Sequence, residues 1–384
     1  MKRRWSAAVC LCLLAALLLS ACGLKTEENE YVTTPEGRWD GAKDFSEGYA
    51  AVKKDGKWGF INTDGTVVIS LQYDDARSFS EGCAAVRKGG SWTFIDKEGK
   101  SAVPGSYSYV SSFYEGRAVY GAGVYYGYID REGNRVTDPI YTEASRYREG
   151  FACVRQKDGG YGFLNADGAP VTEFVYGIET RFSEGLAAVF YAKATSGVNT
   201  GYLGTDGETA LPFDWYDGKA FSEGYAAVQK TYPGTWGYID KQGNEVIASA
   251  WDSAENFSCG RALVEKDRKF RFIDTAGNPV GDAAYDKAYP FTGDGLARVG
   301  VQSGLGYKFG FIKTDGSALI SPEYDNAMDF HNGYAAVCKG DKWGFLRSDG
   351  TMVTGFLWTD VGAMTSDGLA MVRTDDVYGF IKLK

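Results

Sequence analysis

The sequence predicts an all-β protein built as a tandem array of ten antiparallel units of about 34 residues, and three observations carry that prediction. An aromatic residue followed three or four residues later by a turn glycine returns at Phe45, Phe79, Phe113, Tyr147, Phe182, Phe221, Phe257, Phe291 and Phe330, with Met364 taking the aromatic place in the last copy. Successive copies are 34, 34, 34, 35, 39, 36, 34, 39 and 34 residues apart. Glycine is abundant, 51 of 384 residues, without the every-third-residue period of collagen, so turns account for it. Between the turns lie short runs rich in Val, Ile, Phe, Tyr and Trp, too short for helices and flanked by breakers.

The chain opens on a different kind of segment. Lys2-Arg3-Arg4, an apolar stretch from Ala7 to Leu19 and small residues before Cys22 have the form of a secretory signal over residues 1–21. The apolar stretch is shorter than the roughly 18 residues that span a bilayer. Leu19-Ser20-Ala21-Cys22 resembles the lipobox of bacterial lipoproteins. That resemblance implies cleavage before Cys22, lipid on its thiol, and a protein secreted and held at the extracytoplasmic face of a bacterial membrane. Residues 22–38 then read as a polar tether, and the repeats occupy residues 39–384.

Each unit repeats one sentence, best seen over residues 73–86 and 57–69: Tyr-Asp-x-Ala-x-x-Phe-Ser-Glu-Gly, an Ala-Ala-Val run, a glycine turn, Lys-Trp-Gly-Phe-Ile, and a second turn such as Asp64-Gly65. Glycine enters positive φ without steric cost, so these are hairpin signals, and each unit reads as three or four short strands. In Tyr49-Ala50-Ala51-Val52 and Trp58-Gly59-Phe60-Ile61 both strand faces are apolar, which demands cover on both sides. Units therefore stack face to face, with residues of the Trp58 and Phe60 type expected over the Ala or Gly of the next unit. Propeller-like stacking is favoured over an open β-solenoid, because Tyr31-Val32-Thr33 can supply the strand that the last unit lacks, although ten units exceed the usual four to eight blades.

The motifs Lys57-Trp58-Gly59-Phe60-Ile61, Trp236-Gly237-Tyr238-Ile239-Asp240 and Lys342-Trp343-Gly344-Phe345-Leu346 resemble the bacterial WG repeat, also called KWG. The dipeptide is softened to Tyr-Gly or Phe-Gly in several copies and altered at Trp92-Thr93, Thr200-Gly201 and Phe270-Arg271. The resemblance implies a β repeat with no catalytic residues to transfer.

Composition narrows the chemistry. A formal charge of −9 disfavours nucleic acid, whose binding rests on neutralised phosphates. The one histidine, His331, would have to carry any imidazole chemistry, and it occupies the serine slot of a turn. Cys83, Cys153, Cys259 and Cys338 are far apart and read as buried free thiols, and no cofactor or metal motif is present. Recurrent acids (Asp40, Asp74, Asp252 and Asp286 at one position, Glu47, Glu81, Glu115 and Glu149 at another) read as turn and strand-end hydrogen-bond acceptors ahead of calcium ligands or glycosidase carboxylates.

Contact sites are sought where the pattern breaks. The longer hairpins at 190–200, 231–235 and 302–308 carry Tyr191, Tyr232, Pro233 and Tyr307, and a basic hairpin carries Arg268, Lys269 and Arg271. The expectation is a non-enzymatic, membrane-anchored platform for a protein partner, with an envelope polysaccharide or peptidoglycan binder as the alternative and a carboxylate glycosidase as the least favoured.

Overall fold

The computed structural model describes residues 30–33, 39–191 and 199–383; Cys22 and the signal lie outside the described residues. The first unit sets the pattern. Its first strand (Gly41–Ala42), second (Tyr49–Lys54), third (Lys57–Asn62) and fourth (Val67–Tyr73) lie side by side in sequence order. Second and third pair in unbroken register, from Tyr49 opposite Asn62 to Lys54 opposite Lys57.

The fourth strand bulges. Trp58 faces Tyr73 while Phe60 faces Ile69, so residues 70–72 arch over Gly59 alone. A Cβ on Gly59 would lie 2.5 Å from the Ile69 carbonyl oxygen and 2.8 Å from the Leu71 nitrogen. The glycine of Trp-Gly is thus required by its own unit's bulge, and not by the next unit as the side-chain alternation suggested. The units that lack this glycine, at Thr93 and Arg271, carry one in the fourth-strand segment instead: Gly105 with φ 113° and Gly281 with φ 70°. Either strand can yield the space.

Pro104, Pro170, Pro212, Pro279 and Pro322 all fall in fourth-strand segments, which fits an outer edge where a missing N–H costs little. At Pro170 and Pro279 the segment shrinks to isolated bridges. Tyr141 holds the place of Tyr73 and pairs with Tyr126, and its strand Tyr141–Ala144 runs on without a break to pair with Ala152–Gln156 of the fourth unit. The sheets of the third and fourth units are thereby joined, and among the described residues the ten units form nine hydrogen-bonded sheets.

Every unit boundary is filled the same way. Phe60 packs with Phe79, Ala84 and Val86 of the next unit, its ring edge-on to Phe79 at 5.0 Å. The equivalent pairs are Phe94–Phe113 (4.8 Å), Tyr128–Tyr147 (4.9 Å), Phe163–Phe182 (4.8 Å), Tyr202–Phe221 (5.0 Å), Tyr238–Phe257 (4.9 Å), Phe272–Phe291 (4.9 Å) and Phe311–Phe330 (4.7 Å). At the ninth boundary Met364 shares a core with Phe345. At the tenth, Phe380 of the last unit meets Phe45 of the first at 4.9 Å.

That last contact closes the array into a propeller. Strand Glu30–Thr33 pairs antiparallel with Val377–Lys382, with Glu30 opposite Lys382 and Thr33 opposite Phe380, and serves as the fourth strand of the last unit. Trp39, Phe45, Ala50 and Ile61 share a core with Leu369 and Phe380. The open solenoid is excluded by this seam.

The Glu-Gly turns of the first six units add a polar clasp to their boundaries. Ser46 and Tyr49 exchange backbone hydrogen bonds around Glu47 (φ 52°) and Gly48 (φ 84°), the two-residue hairpin with both central φ positive. Glutamate is an unusual occupant of that first position, where a Cβ costs about 1–2 kcal/mol. Its carboxylate explains the choice: Glu184 accepts the backbone N–H groups of Glu223 (2.6 Å) and Gly224 (3.0 Å) in the next turn, and Glu149 and Glu115 do the same one and two units earlier. Ser46, Ser80, Ser183, Ser222 and Ser258 donate their hydroxyls to the backbone carbonyl of the next unit's aromatic, at 2.7–2.8 Å.

Urea unfolding tests the clasp. Glu184→Ala is expected to cost about 1–2 kcal/mol through the lost inter-unit bonds, and Glu184→Gly about 1 kcal/mol less than that, because glycine relieves the positive φ. An alanine variant as stable as the parent would show that the carboxylate bridge contributes nothing.

Candidate binding face

The strand directions sort the connections onto two faces. Hairpins between second and third strands lie on one face, here the hairpin face. The Ser-Glu-Gly turns and the Asp-x-x-Gly turns lie on the other, the turn face.

On the hairpin face the recurrent aspartates are frame, not chemistry. One carboxylate oxygen accepts the backbone N–H at the tip of the same unit's hairpin: Asp40 from Asp55 (2.7 Å), Asp74 from Gly89, Asp252 from Asp267, Asp286 from Gln302 and Asp325 from Gly340 (each 2.8 Å). With the other oxygen Asp40 and Asp252 meet Lys54 and Lys266 of their own units, while in three of the five that oxygen meets a lysine of the preceding unit, Lys57–Asp74 (2.6 Å), Lys269–Asp286 (2.5 Å) and Lys308–Asp325 (2.5 Å). Those lysines, helped by the tip N–H groups, hold Asp74, Asp286 and Asp325 below the ordinary carboxylate range. The lysine of Lys-Trp-Gly is therefore an inter-unit clamp.

The pattern breaks cluster on this same face in four consecutive units. In the fifth, Tyr191 is half-buried against Tyr176 and Phe213 and its N–H reaches Asn199 O (2.7 Å); residues 192–198 of that hairpin lie outside the described residues. In the sixth, Tyr232 is 73% exposed and stacks on Tyr216 at 5.1 Å with the ring planes 21° apart, followed by the exposed Pro233 across a cis peptide bond. In the eighth, Leu305 projects fully into solvent at the tip, and Lys287 lies 5.4 Å from the centre of the partly exposed Tyr307 ring.

The seventh unit holds the basic hairpin, and the structure divides it. Lys266 and Lys269 are neutralised by Asp252 and Asp286. Arg271 is half-buried in the third strand, opposite Val264. Arg268 is exposed at the tip with φ 61°, where the first two units have Gly56 and Gly90. Its side chain is held at a backbone conformation that costs a residue with a Cβ about 1–2 kcal/mol. Leu305, which no sequence motif singled out, could have been noticed as a lone large apolar residue between Gly304 and Gly306.

Other reactive groups are held quiet. Cys83, Cys153 and Cys338 are buried free thiols and Cys259 is half-buried; burial pushes Cys83 up to about 11 and Cys153 up to about 12. Tyr161 donates to Glu143 at 2.5 Å, and this bond together with partial burial pushes the phenol up to about 12. His331 sits in a turn, exchanging backbone bonds with Tyr334. Among the described residues no group of three or more His, Cys, Asp or Glu is placed to hold a metal ion.

The repeat family described as "WG containing repeat" matches ten segments, residues 29–58, 58–92, 92–120, 126–159, 161–191, 201–232, 236–270, 270–301, 309–343 and 343–378. The chain belongs to the WG-repeat family. No curated protein matches this WG-repeat chain. Among solved structures it is similar to a eukaryotic initiation factor (11% identity, TM-score 0.49, 79% of this chain and 91% of that one) and to the computationally designed protein Ika8 (14% identity, TM-score 0.36, 86% and 96%). It is also similar to BamB from Moraxella catarrhalis (13% identity, TM-score 0.31, 62% and 80%).

Two measurements bear on this face. Because Asp74, Asp252, Asp286 and Asp325 have depressed folded values, their contribution is full above the ordinary carboxylate range and is lost as pH falls through the depressed values. Thermal melts should therefore hold level from pH 7 to about 5 and fall steeply below about pH 4, and a midpoint that rises on acidification would contradict the clamps. Separately, Arg268→Gly should raise the urea midpoint by the equivalent of about 1 kcal/mol by removing the positive-φ strain, while weakening whatever the tip contacts.

Proposed function

We propose that this WG-repeat protein is a non-enzymatic binding platform, held by lipid on Cys22 at the extracytoplasmic face of a bacterial membrane, and that it engages a protein partner through the hairpin face of its fifth to eighth units. The supporting observation is the concentration there of Tyr232, Leu305, Tyr307 and the strained Arg268 on consecutive units of a rigid frame. The recurrent acids are spent on backbone N–H groups and lysines, which leaves them poorly placed to act as a glycosidase pair.

The seam gives this reading a direction. Val377–Lys382 leaves its hairpin on the hairpin face and ends at Lys382 on the turn face, where Glu30 pairs with it. A lipid on Cys22, eight residues before Glu30, could be no more than about 28 Å from that point with the chain fully extended. The turn face would then look toward the membrane and the hairpin face away from it, open to partners.

A second reading is favoured by the stacked Tyr216–Tyr232 pair, which offers a flat aromatic surface of the kind that packs on sugar rings. In it the ligand is an envelope polysaccharide or peptidoglycan.

Photo-crosslinking residues placed at 232 and 305, and at 114 on the turn face, test the siting in cells. The expected result is one recurrent protein adduct from 232 and 305 and none from 114; adducts from 114 alone would overturn it. Co-sedimentation with purified peptidoglycan that Tyr232→Ala abolishes would favour the second reading. Labelling with a palmitate analogue checks the anchor, since label persisting in Cys22→Ser would disprove lipid at that thiol.

A further inference from the structure

On the turn face, Arg146, Arg148 and Arg181 line one open cavity of about 400 Å³. Arg146, Arg181 and Ala220, also in its wall, hold the same repeat position in the fourth, fifth and sixth units, immediately before Tyr147, Phe182 and Phe221. Three successive units can share one small cavity only where the sheets converge, so the cavity lies on the inner rim of the ring. At that position the other units carry Asp44, Ser78, Ser112, Asn256, Pro290, Asp329 and Ala363. Basic residues occur there in the fourth and fifth units alone.

Arg148 is a second departure from the repeat. It fills the serine slot, whose hydroxyl in five other units bonds the next unit's backbone carbonyl. The fourth unit has exchanged that structural bond for a guanidinium. Several arginines elsewhere pair with acids, as in Arg155–Glu143 (2.9 Å), Arg298–Asp329 (2.9 Å) and Arg373–Asp376 (3.1 Å), and Arg117 and Arg261 donate to backbone carbonyls. Among the described residues the guanidiniums of Arg148 and Arg181 have no hydrogen bond or ion pair, and that of Arg146 lies only over the Tyr114 ring, 4.8 Å from its centre. Glu179 is the one carboxylate in the cavity wall, which leaves two uncompensated positive charges in a chain whose formal charge is −9.

We infer that this cavity binds a phosphoryl group. A carboxylate is planar and is satisfied by one arginine fork, whereas a phosphoryl dianion presents oxygens in three directions and takes donors arriving from separate elements. Arg146 and Arg148 come from one unit and Arg181 from the next, with Thr180 beside them in the wall; the Ser145 hydroxyl is already engaged, accepting the Cys153 N–H (2.9 Å) and donating to the Arg146 carbonyl (3.2 Å). The mutual repulsion of three cations at one rim is what a bound dianion would relieve. The phosphoryl group could be carried by a soluble compound or by a lipid headgroup.

Calorimetry on the mature chain with Cys22→Ser, titrated with pyrophosphate at low ionic strength, decides the site. The expected result is saturable binding that weakens with salt, falls at least tenfold in Arg181→Gln, falls nearly as far in Arg181→Lys because the fork is lost, and is unchanged in Arg268→Gln on the opposite face. Arg146→Gln serves as a second test of the site should Arg181→Gln melt below the parent. No saturable binding, equal loss in Arg268→Gln, or tighter binding of citrate than of pyrophosphate would overturn the assignment. Flotation with vesicles containing phosphatidic acid, whose phosphomonoester presents such a group, then separates the sources: retention lost in Arg181→Gln assigns the group to a lipid headgroup, and retention that is absent or unchanged assigns it to a soluble phosphoryl compound.

Discussion

The ring-on-ring contact across the unit boundaries, aromatic at all but the ninth, where Met364 takes the place of the ring, is the interaction on which the rest of this molecule depends. A unit of three or four short strands cannot bury both faces of its own sheet, and Phe60 or its equivalent finds cover only on the next unit's aromatic. Each such pair contributes about 0.5–1.5 kcal/mol beyond simple burial. Since every unit both gives and receives this contact, an open array would leave one donor and one acceptor bare, at Phe380 and Phe45. Closure joins those two residues to each other, and the strand Glu30–Thr33 covers the last sheet's edge in the same step.

Polar groups do the same work at the two faces, and both sets act between units. Lysine from one unit reaches aspartate of the next on the hairpin face, and glutamate from one turn reaches backbone N–H groups of the next on the turn face. The second clasp carries a local cost, since glutamate at positive φ is strained. The turn keeps glutamate because its two carboxylate oxygens reach the backbone N–H groups of the neighbouring turn, both of them in the third to fifth units. Acids that recur with the repeat are explained by the repeat, and departures from it are where other roles can be sought. The basic inner rim of the fourth and fifth units and the exposed hairpins of the fifth to eighth are such departures, on opposite faces of one ring.

Much of this was legible in the chain. The period, the strand content, the family and the structural character of the recurrent acids follow from residue type and spacing, because every unit solves the same backbone problem with the same residues. The closing strand at residues 31–33 was also foreseeable, since the last unit ends one strand short. The glycine of Trp-Gly was harder to read: the constraint comes from a bulge in its own unit's fourth strand, which leaves no mark of its own in a one-dimensional pattern. Gly105 and Gly281 show this best, because they look unrelated to Trp-Gly until the strands are laid side by side.

What the sequence determined by itself is the unit, its number and its repetition, all of which rest on local turn chemistry and strand periodicity. Tertiary structure alone decided that Lys269 is consumed by Asp286 while Arg268 stays at a strained tip, and that Arg146, Arg148 and Arg181 share one cavity. The reason is geometric. Arg146 and Arg181 stand a full unit apart along the chain, and only the convergence of sheets at the inner edge of a closed ring sets them side by side.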